Sequence, residues 1–327
     1  MPPGPTGPTG PRGGDRPWRP VDRPTKADRI FRALSTAAAV VSLIIVSTTL
    51  VFLLKQGWPA FWASGPWDFF TGSVWNPAEG RFGVGGLLLG TVIIATLAMA
   101  VAVPLGVGMA LFINEYAPAR VRGFLTAVVD LLAALPSLIF GLWGLFVFQE
   151  RLRGPAGWMS DHLSAIPLFR LSNATPDLGR SSFVVGMVVA VMILPIITSV
   201  SRDVMAQVPR EQCEGALALG GTRWGMIRSV ILPFGRSGIV GATLLGFGRA
   251  LGETIAVTVI INFVFGVNWH VLETGGGSVA SLIASRFGEA GPAEIEGLIA
   301  AGFALFVLTF AVNLFARWIV ARGTRMA

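Results

Sequence analysis

Six apolar stretches recur along the 327-residue chain, separated by polar connections. Each is long enough to cross the roughly 30 Å hydrocarbon core of a bilayer as a helix. The pattern therefore predicts an all-α integral membrane protein with six transmembrane helices. The predicted spans cover residues 33–54, 83–113, 124–148, 183–201, 238–265 and 298–316.

Charged residues are rare inside these spans, where the sequence places Asp130, Arg249 and Glu253. Each charge in hydrocarbon costs at least about 2.5 kcal/mol on insertion scales, so such side chains should face another helix or a polar path. Arg249 lies about 11 residues, or roughly 16 Å, into its span, near the middle of the bilayer. Glu253 follows one helical turn later on the same face. Asp130 is nearer a membrane edge, which favours a packing or helix-end role.

The composition supports a membrane protein. The chain is 53% hydrophobic and 13% charged, whereas soluble domains carry about a quarter charged residues. Its net charge of +7 does not indicate nucleic-acid binding, because the basic residues do not cluster with aromatics on a soluble module. With one cysteine, Cys213, and two histidines, neither an internal disulfide nor a metal site is predicted.

The distribution of basic residues predicts the orientation. Of the 25 Lys and Arg residues, 17 lie in the two terminal segments and in the connections 114–123 and 202–237. Both termini of this multi-pass protein should therefore face the cytoplasm. The predicted organisation is a disordered basic cytoplasmic tail at 1–32, a first helix and outer loop at 33–82, a transmembrane domain at 83–320 and a cytoplasmic C-terminal tail at 321–327.

Catalytic motifs are not found in the sequence. A phosphate-cradling P-loop needs Gly-Lys followed by Ser or Thr, and neither Lys26 nor Lys55 follows a glycine. No paired carboxylates or nucleophile–base spacing occurs either. The sequence therefore predicts that the chain is not an enzyme, has no ATPase site of its own and binds no cofactor.

The connection at 209–233, called the 209–233 loop below, carries a recognisable motif. It resembles the EAA loop of ABC-importer permeases, with Gly215 in place of an alanine and Val230 in place of an isoleucine. In that family the loop forms a short helix, a glycine turn and a second helix that seats in a groove of the ATPase. The residues assigned to this coupling role are Glu214, Gly215, Ala216, Gly220, Leu232 and Pro233.

The same loop has a direct physical interpretation. Residues 212–219 should form a short helix with Ala216 and Leu219 on one side. Gly220 and Gly221 can adopt the positive φ that ends such a helix. The sequence therefore predicts a small helical knob shaped for a partner.

Residues 248–257 form a second motif, which resembles the signature of phosphate permease subunits of the PstC type. Further matches occur at 114–118, 135–137, 140–142, 282–284 and 287–290. The resemblance implies that Arg249, Glu253 and Thr254 serve substrate translocation. Gly248 and Gly252 also form a small-xxx-small pair suited to helix packing.

The resemblance further implies an architecture and a set of partners. The fold would be one peripheral helix at 33–54 and a five-helix ABC-importer permease core. The chain would form a heterodimer with a sister permease subunit, two ATPase subunits that carry ATP and Mg, and an extracytoplasmic phosphate-binding protein.

Alternative interpretations remain at this stage. Arg249 and Glu253 either pass an anion or form an ion pair that locks helix packing. The whole chain could be a permease for another oxyanion, such as molybdate or sulfate. It could also be a secondary transporter that carries protons on Glu253, or a membrane scaffold or sensor that transports nothing.

Overall fold

The computed structural model describes residues 25–171 and 178–325, and most of the predicted tail at 1–32 lies outside these residues. The described residues are predominantly helical. Five helical runs are long and apolar enough to span a membrane, and a sharply bent pair brings the number to six if it is counted as one span. The all-α membrane fold is therefore confirmed.

The chain divides into two compact units, residues 1–49 and 50–327. Helix α1 runs from Lys26 to Ser64, well beyond the predicted 33–54. After α1, helix α2 (Pro66–Thr71) precedes a small antiparallel hairpin of β1 (Trp75–Asn76) and β2 (Arg81–Phe82).

The remaining helices, all in the second unit, follow in chain order. They are α3 (Gly85–Leu111), α4 (Ala119–Ala133), α5 (Ser137–Trp143), α6 (Gln149–His162), α7 (Ser182–Met205), α8 (Arg210–Ala218), α9 (Arg223–Met226), α10 (Leu232–Leu251), α11 (Ile255–Ile260), α12 (Val279–Arg286) and α13 (Pro292–Arg325). Three π-helical turns, Phe112–Tyr116, Gly144–Phe148 and Ile227–Ile231, continue α3, join α5 to α6 and join α9 to α10.

Helix α7 is the centre of the core. It packs against α3 and α10. Six of its β-branched side chains are almost fully buried: Val184, Val185, Val188, Val189, Ile193 and Ile197. Glycines allow the close approach: a Cβ on Gly106 of α3 would lie 3.0 Å from Ile197, and one on Gly246 of α10 would lie 2.9 Å from it. The predicted span 183–201 is thus the most enclosed helix of this unit.

The third predicted span, 124–148, is not one helix. Helix α4 ends at Ala133, and the helical run that begins at Ser137 is bent from it by 91°. The cause is Pro136, which has no N–H to donate and disfavours a helical conformation at Leu135. We call residues 134–136 the Pro136 break.

The fifth predicted span, 238–265, is also wrong as a single helix. The helical run begins earlier, at Arg223, and ends at Leu251, after which α11 covers only six residues. Gly252 has a poor helix propensity, and the carboxylate of Glu253 starts a new helix by accepting a hydrogen bond from the N–H of Ala256. We call residues 252–254 the Gly252 break.

Candidate functional site

Arg249 lies in the last turn of α10, where the helix dipole favours a cation. Its side chain is exposed on the surface of this chain. Among the described residues, no carboxylate lies within 4.0 Å of its guanidinium group. Within the described part of the chain, the guanidinium of Arg249 is therefore exposed and makes no ion pair.

Glu253 occupies a different environment, beyond the end of α10. It is 7% exposed, and its Oε1 accepts a hydrogen bond of 3.2 Å from the backbone N–H of Ala256. The expectation that Arg249 and Glu253 share one face of a continuous helix is therefore wrong, because the helix stops between them at Gly252. The alternative, an ion pair between Arg249 and Glu253 that locks helix packing, is not formed in this structure.

Thr254 completes the Gly252 break. Its hydroxyl donates to the carbonyl of Gly252 at 3.1 Å, and its own carbonyl accepts from the hydroxyl of Thr258 at 2.8 Å. The hydroxyl of Thr254 thus satisfies the Gly252 carbonyl, whose helical donor, the N–H of Ala256, bonds to Glu253 instead. The break is therefore a defined turn rather than a frayed end.

The two breaks belong to neighbouring elements. Helix α11, which follows the Gly252 break, packs against α5, which follows the Pro136 break. A Cβ on Gly141 would lie 3.0 Å from the Cα of Ala256, and one on Gly144 would lie 2.8 Å from Ile260. The glycine of the 140–142 match thus acts by letting α11 approach α5.

The two glycines near Arg249, Gly248 and Gly252, are not packed against another helix of the described residues. A Cβ on Gly248 would meet no atom within 4 Å, and one on Gly252 would meet only carbonyl oxygens of the preceding turn. The expected small-xxx-small packing of these two glycines is therefore not made among the described residues. Gly246 makes the close helix contact instead, so Gly248, Arg249 and Gly252 leave an open surface.

The 209–233 loop forms the predicted knob. Helix α8 ends in a turn in which the N–H of Gly220 bonds to the carbonyl of Leu217 and that of Gly221 bonds to Ala216. Gly220 has φ +82°, as predicted, and Thr222 caps the next helix through the N–H of Gly225. This pattern of backbone bonds satisfies the free carbonyls at a helix end.

The two faces of α8 are not arranged as predicted. Ala216 packs with Cys213, Val230 and Leu232 onto a buried cluster, whereas Leu219 is 91% exposed. Leu219 therefore does not share a side with Ala216, because it is the residue at which the chain leaves the helix. The buried cluster contains Ala110, Met205, Val208, Met226, Ile227 and Ile231.

The other residues assigned to the loop take distinct positions. Glu214 lines a cavity of about 390 Å³ beside α8, and Gly215 faces open space, so an alanine would fit there. Pro233 follows the π-helical turn at the start of α10. Burial, reinforced by the charges of Glu115 and Glu214, raises the pKa of the Cys213 thiol.

Asn114 and Glu115, which the sequence analysis noted only as part of the 114–118 family match, hold the 209–233 loop in place. The amide of Asn114 donates to the carbonyl of Arg202 at 2.8 Å. Arg223 donates to the carbonyl of Glu115 at 3.3 Å, and Arg122 donates to the carbonyl of Asn114 at 2.7 Å. These contacts tie the end of α3 to the two ends of the 202–223 segment.

Comparison with known proteins identifies the family. Residues 102–325 match the model for binding-protein-dependent transport system inner membrane components. The chain is a member of this family. The matched region contains both helix breaks and the whole 209–233 loop.

Relatives within this family carry more specific names. The chain is 43% identical over 296 residues to phosphate transport system permease protein PstC 2 of Mycobacterium tuberculosis, covering 89% of this chain and 91% of that protein. It is 38% identical to PstC of Xylella fastidiosa, covering 93% of each.

Solved structures agree at the level of the fold. A bacterial alginate ABC transporter in complex with an alginate pentasaccharide-bound periplasmic protein aligns with a TM-score of 0.61 over 91% of this chain and 96% of that chain. Its sequence is 16% identical. The binding-protein-dependent permease fold therefore holds for this chain although the sequences have diverged.

Proposed function

We propose that this permease is a subunit of an ATP-driven ABC importer for inorganic phosphate. The observation that carries the proposal is the Gly252 break, where the unpaired guanidinium of Arg249 lies on an open surface and is followed by Glu253. The names of the PstC relatives support phosphate as the substrate.

The chemistry of the two side chains suits phosphate. Arginine offers a planar fork of donors that matches two phosphate oxygens. A carboxylate can accept a hydrogen bond from protonated phosphate, which sulfate at neutral pH does not offer. Glu253 retains acceptor capacity beyond its bond to Ala256, so the pair would admit phosphate and disfavour sulfate.

A sister permease subunit would complete the translocation path. Large apolar side chains are exposed beside both breaks on α4, α10 and the run from Ser137, as a subunit interface or lipid contact requires. Examples are Leu131, Phe146 and Leu245. The open surface at Gly248, Arg249 and Gly252 would then face the sister subunit, and the anion would pass between the two subunits.

The 209–233 loop would dock on one of two ATPase subunits that carry ATP and Mg. Its exposed apolar side chains, Leu217, Leu219 and Trp224, give the knob a surface that a groove can bury. In this arrangement both termini face the cytoplasm, and an extracytoplasmic phosphate-binding protein delivers the ion to the opposite side. ATP hydrolysis would switch the dimer between inward-open and outward-open states.

Uptake by variants of the assembled complex tests the proposal. Arg249→Gln and Glu253→Ala should each reduce phosphate uptake to background, because the first removes the charged donor fork and the second removes the acceptor for protonated phosphate. Arg317→Gln removes the same charge from an exposed position on α13 and should transport normally. Labelled-phosphate uptake in proteoliposomes is the measurement, with complex assembly checked by size-exclusion chromatography. Normal uptake by assembled Arg249→Gln would contradict the proposed path.

A further inference from the structure

Arg202, in the last turn of α7, connects three helical runs. Its backbone carbonyl accepts from the amide of Asn114, at the end of the run that starts with α3. Its Nη1 lies 3.7 Å from Oδ1 of Asp130 on α4, and that oxygen also accepts from the hydroxyl of Ser199 at 3.2 Å. Its Nε and Nη2 donate to Asp203 at 3.1 and 2.9 Å.

This junction is charged and partly enclosed. The Arg202 side chain is 13% exposed, whereas Asp130 is 50% and Asp203 62% exposed. The Nη1 atom of Arg202 is buried without a hydrogen bond, although the Asp130 carboxylate is only 3.7 Å away. A buried donor without a partner is unfavourable, so a small approach of α4 to α7 would turn this ion pair into a hydrogen bond.

The junction lies between the two regions that transport must connect. Along α7, Arg202 precedes Pro209, where the 209–233 loop begins, by seven residues. On α4, Asp130 lies three residues, about 4.5 Å of helix, before Ala133, where the helix ends at the Pro136 break. The Arg202–Asp130 contact thus joins α7, which leads into the loop, to α4 near the Pro136 break, and α5 beyond that break packs against α11.

We propose that Arg202 is a positioning residue that transmits movement of the 209–233 loop through Asp130 to the Pro136 break. The ion pair is loose in the state described here and closes in the other state of the transport cycle. The inference rests on the proposed function, since it assumes that ATP hydrolysis drives phosphate uptake. It adds a residue pair outside the loop and outside the Gly252 break.

The test compares two carboxylate neutralisations in the assembled complex. Asp130→Asn removes the charge that reaches α7 from α4, and Asp203→Asn removes the other carboxylate bound to Arg202 without changing a contact between helices. For each variant, phosphate taken up per ATP hydrolysed is measured in proteoliposomes with the binding protein present. Arg202→Lys, which keeps the charge but loses the planar fork, provides a second variant at the junction.

The proposal predicts that Asp130→Asn and Arg202→Lys hydrolyse ATP at near wild-type rates while uptake per ATP falls about tenfold, the effect of losing about 1.4 kcal/mol of coupling. Asp203→Asn should remain within about twofold of the wild type. The proposal is overturned if uptake per ATP is the same in all variants, or if Asp130→Asn and Asp203→Asn lower it equally. It is also overturned if ATP hydrolysis and uptake fall in parallel because the complex assembles poorly. A wild-type complex that takes up no phosphate would instead contradict the proposed function.

Discussion

At the scale of single residues, local backbone requirements were predictable and long-range contacts were not. Gly220 was assigned a positive φ from the sequence because a turn after a short helix needs it, and its φ is +82°. Arg202 was counted only as a basic residue, because its partners Asn114 and Asp130 are 88 and 72 positions away. Nothing in the local sequence brings such residues together.

The first residue-scale prediction compares two glycines of the 209–233 loop. Gly220→Ala places a Cβ in the left-handed region at a cost of about 1–2 kcal/mol, whereas Gly215→Ala meets open space within a helix and favours it by up to about 1 kcal/mol. Phosphate uptake should fall in the first variant and stay normal in the second. Uptake by proteoliposomes with equal amounts of assembled complex is the measurement. Equal uptake by the two variants would count against a defined turn at Gly220.

At the scale of elements, hydropathy located the spans but did not show where helices stop. Residues 238–265 are apolar enough for one span, yet the helix ends at Leu251, because Gly252 weakens it and Glu253 starts the next one. Pro136 was visible in the sequence, but a proline inside a membrane helix often produces only a kink. The structure shows a 91° bend at Pro136 instead, and the helical run after it packs closely against α11 and α7 at Gly141 and Gly144.

An element-scale prediction follows for the contact between α5 and α11. Gly141→Val would force α11 away from α5, at a cost of about 1–3 kcal/mol for overpacking. The same substitution at Gly154, which faces open space on α6, should be tolerated. The melting temperature of the purified complex and phosphate uptake should both fall for Gly141→Val and not for Gly154→Val. Normal uptake by Gly141→Val would show that the position of α11 is not critical.

At the scale of the whole molecule, the fold class and the family were predictable from the sequence, and the open surface around Arg249 was not. The six apolar stretches and the two motifs were sufficient for a binding-protein-dependent permease, which the family match confirms. Arg249, between Gly248 and Gly252, is exposed and makes no ion pair among the described residues. The proposal that it serves anion passage therefore rests on this unpaired guanidinium as well as on the motif.

The most direct test of the account is transport by the complete complex in proteoliposomes. The phosphate-binding protein is placed on one side, ATP and Mg on the side of the 209–233 loop, and labelled phosphate is followed with and without a proton gradient. The account predicts uptake that requires ATP and the binding protein, is abolished by Arg249→Gln and does not depend on the gradient. Uptake driven by the proton gradient without ATP would contradict it.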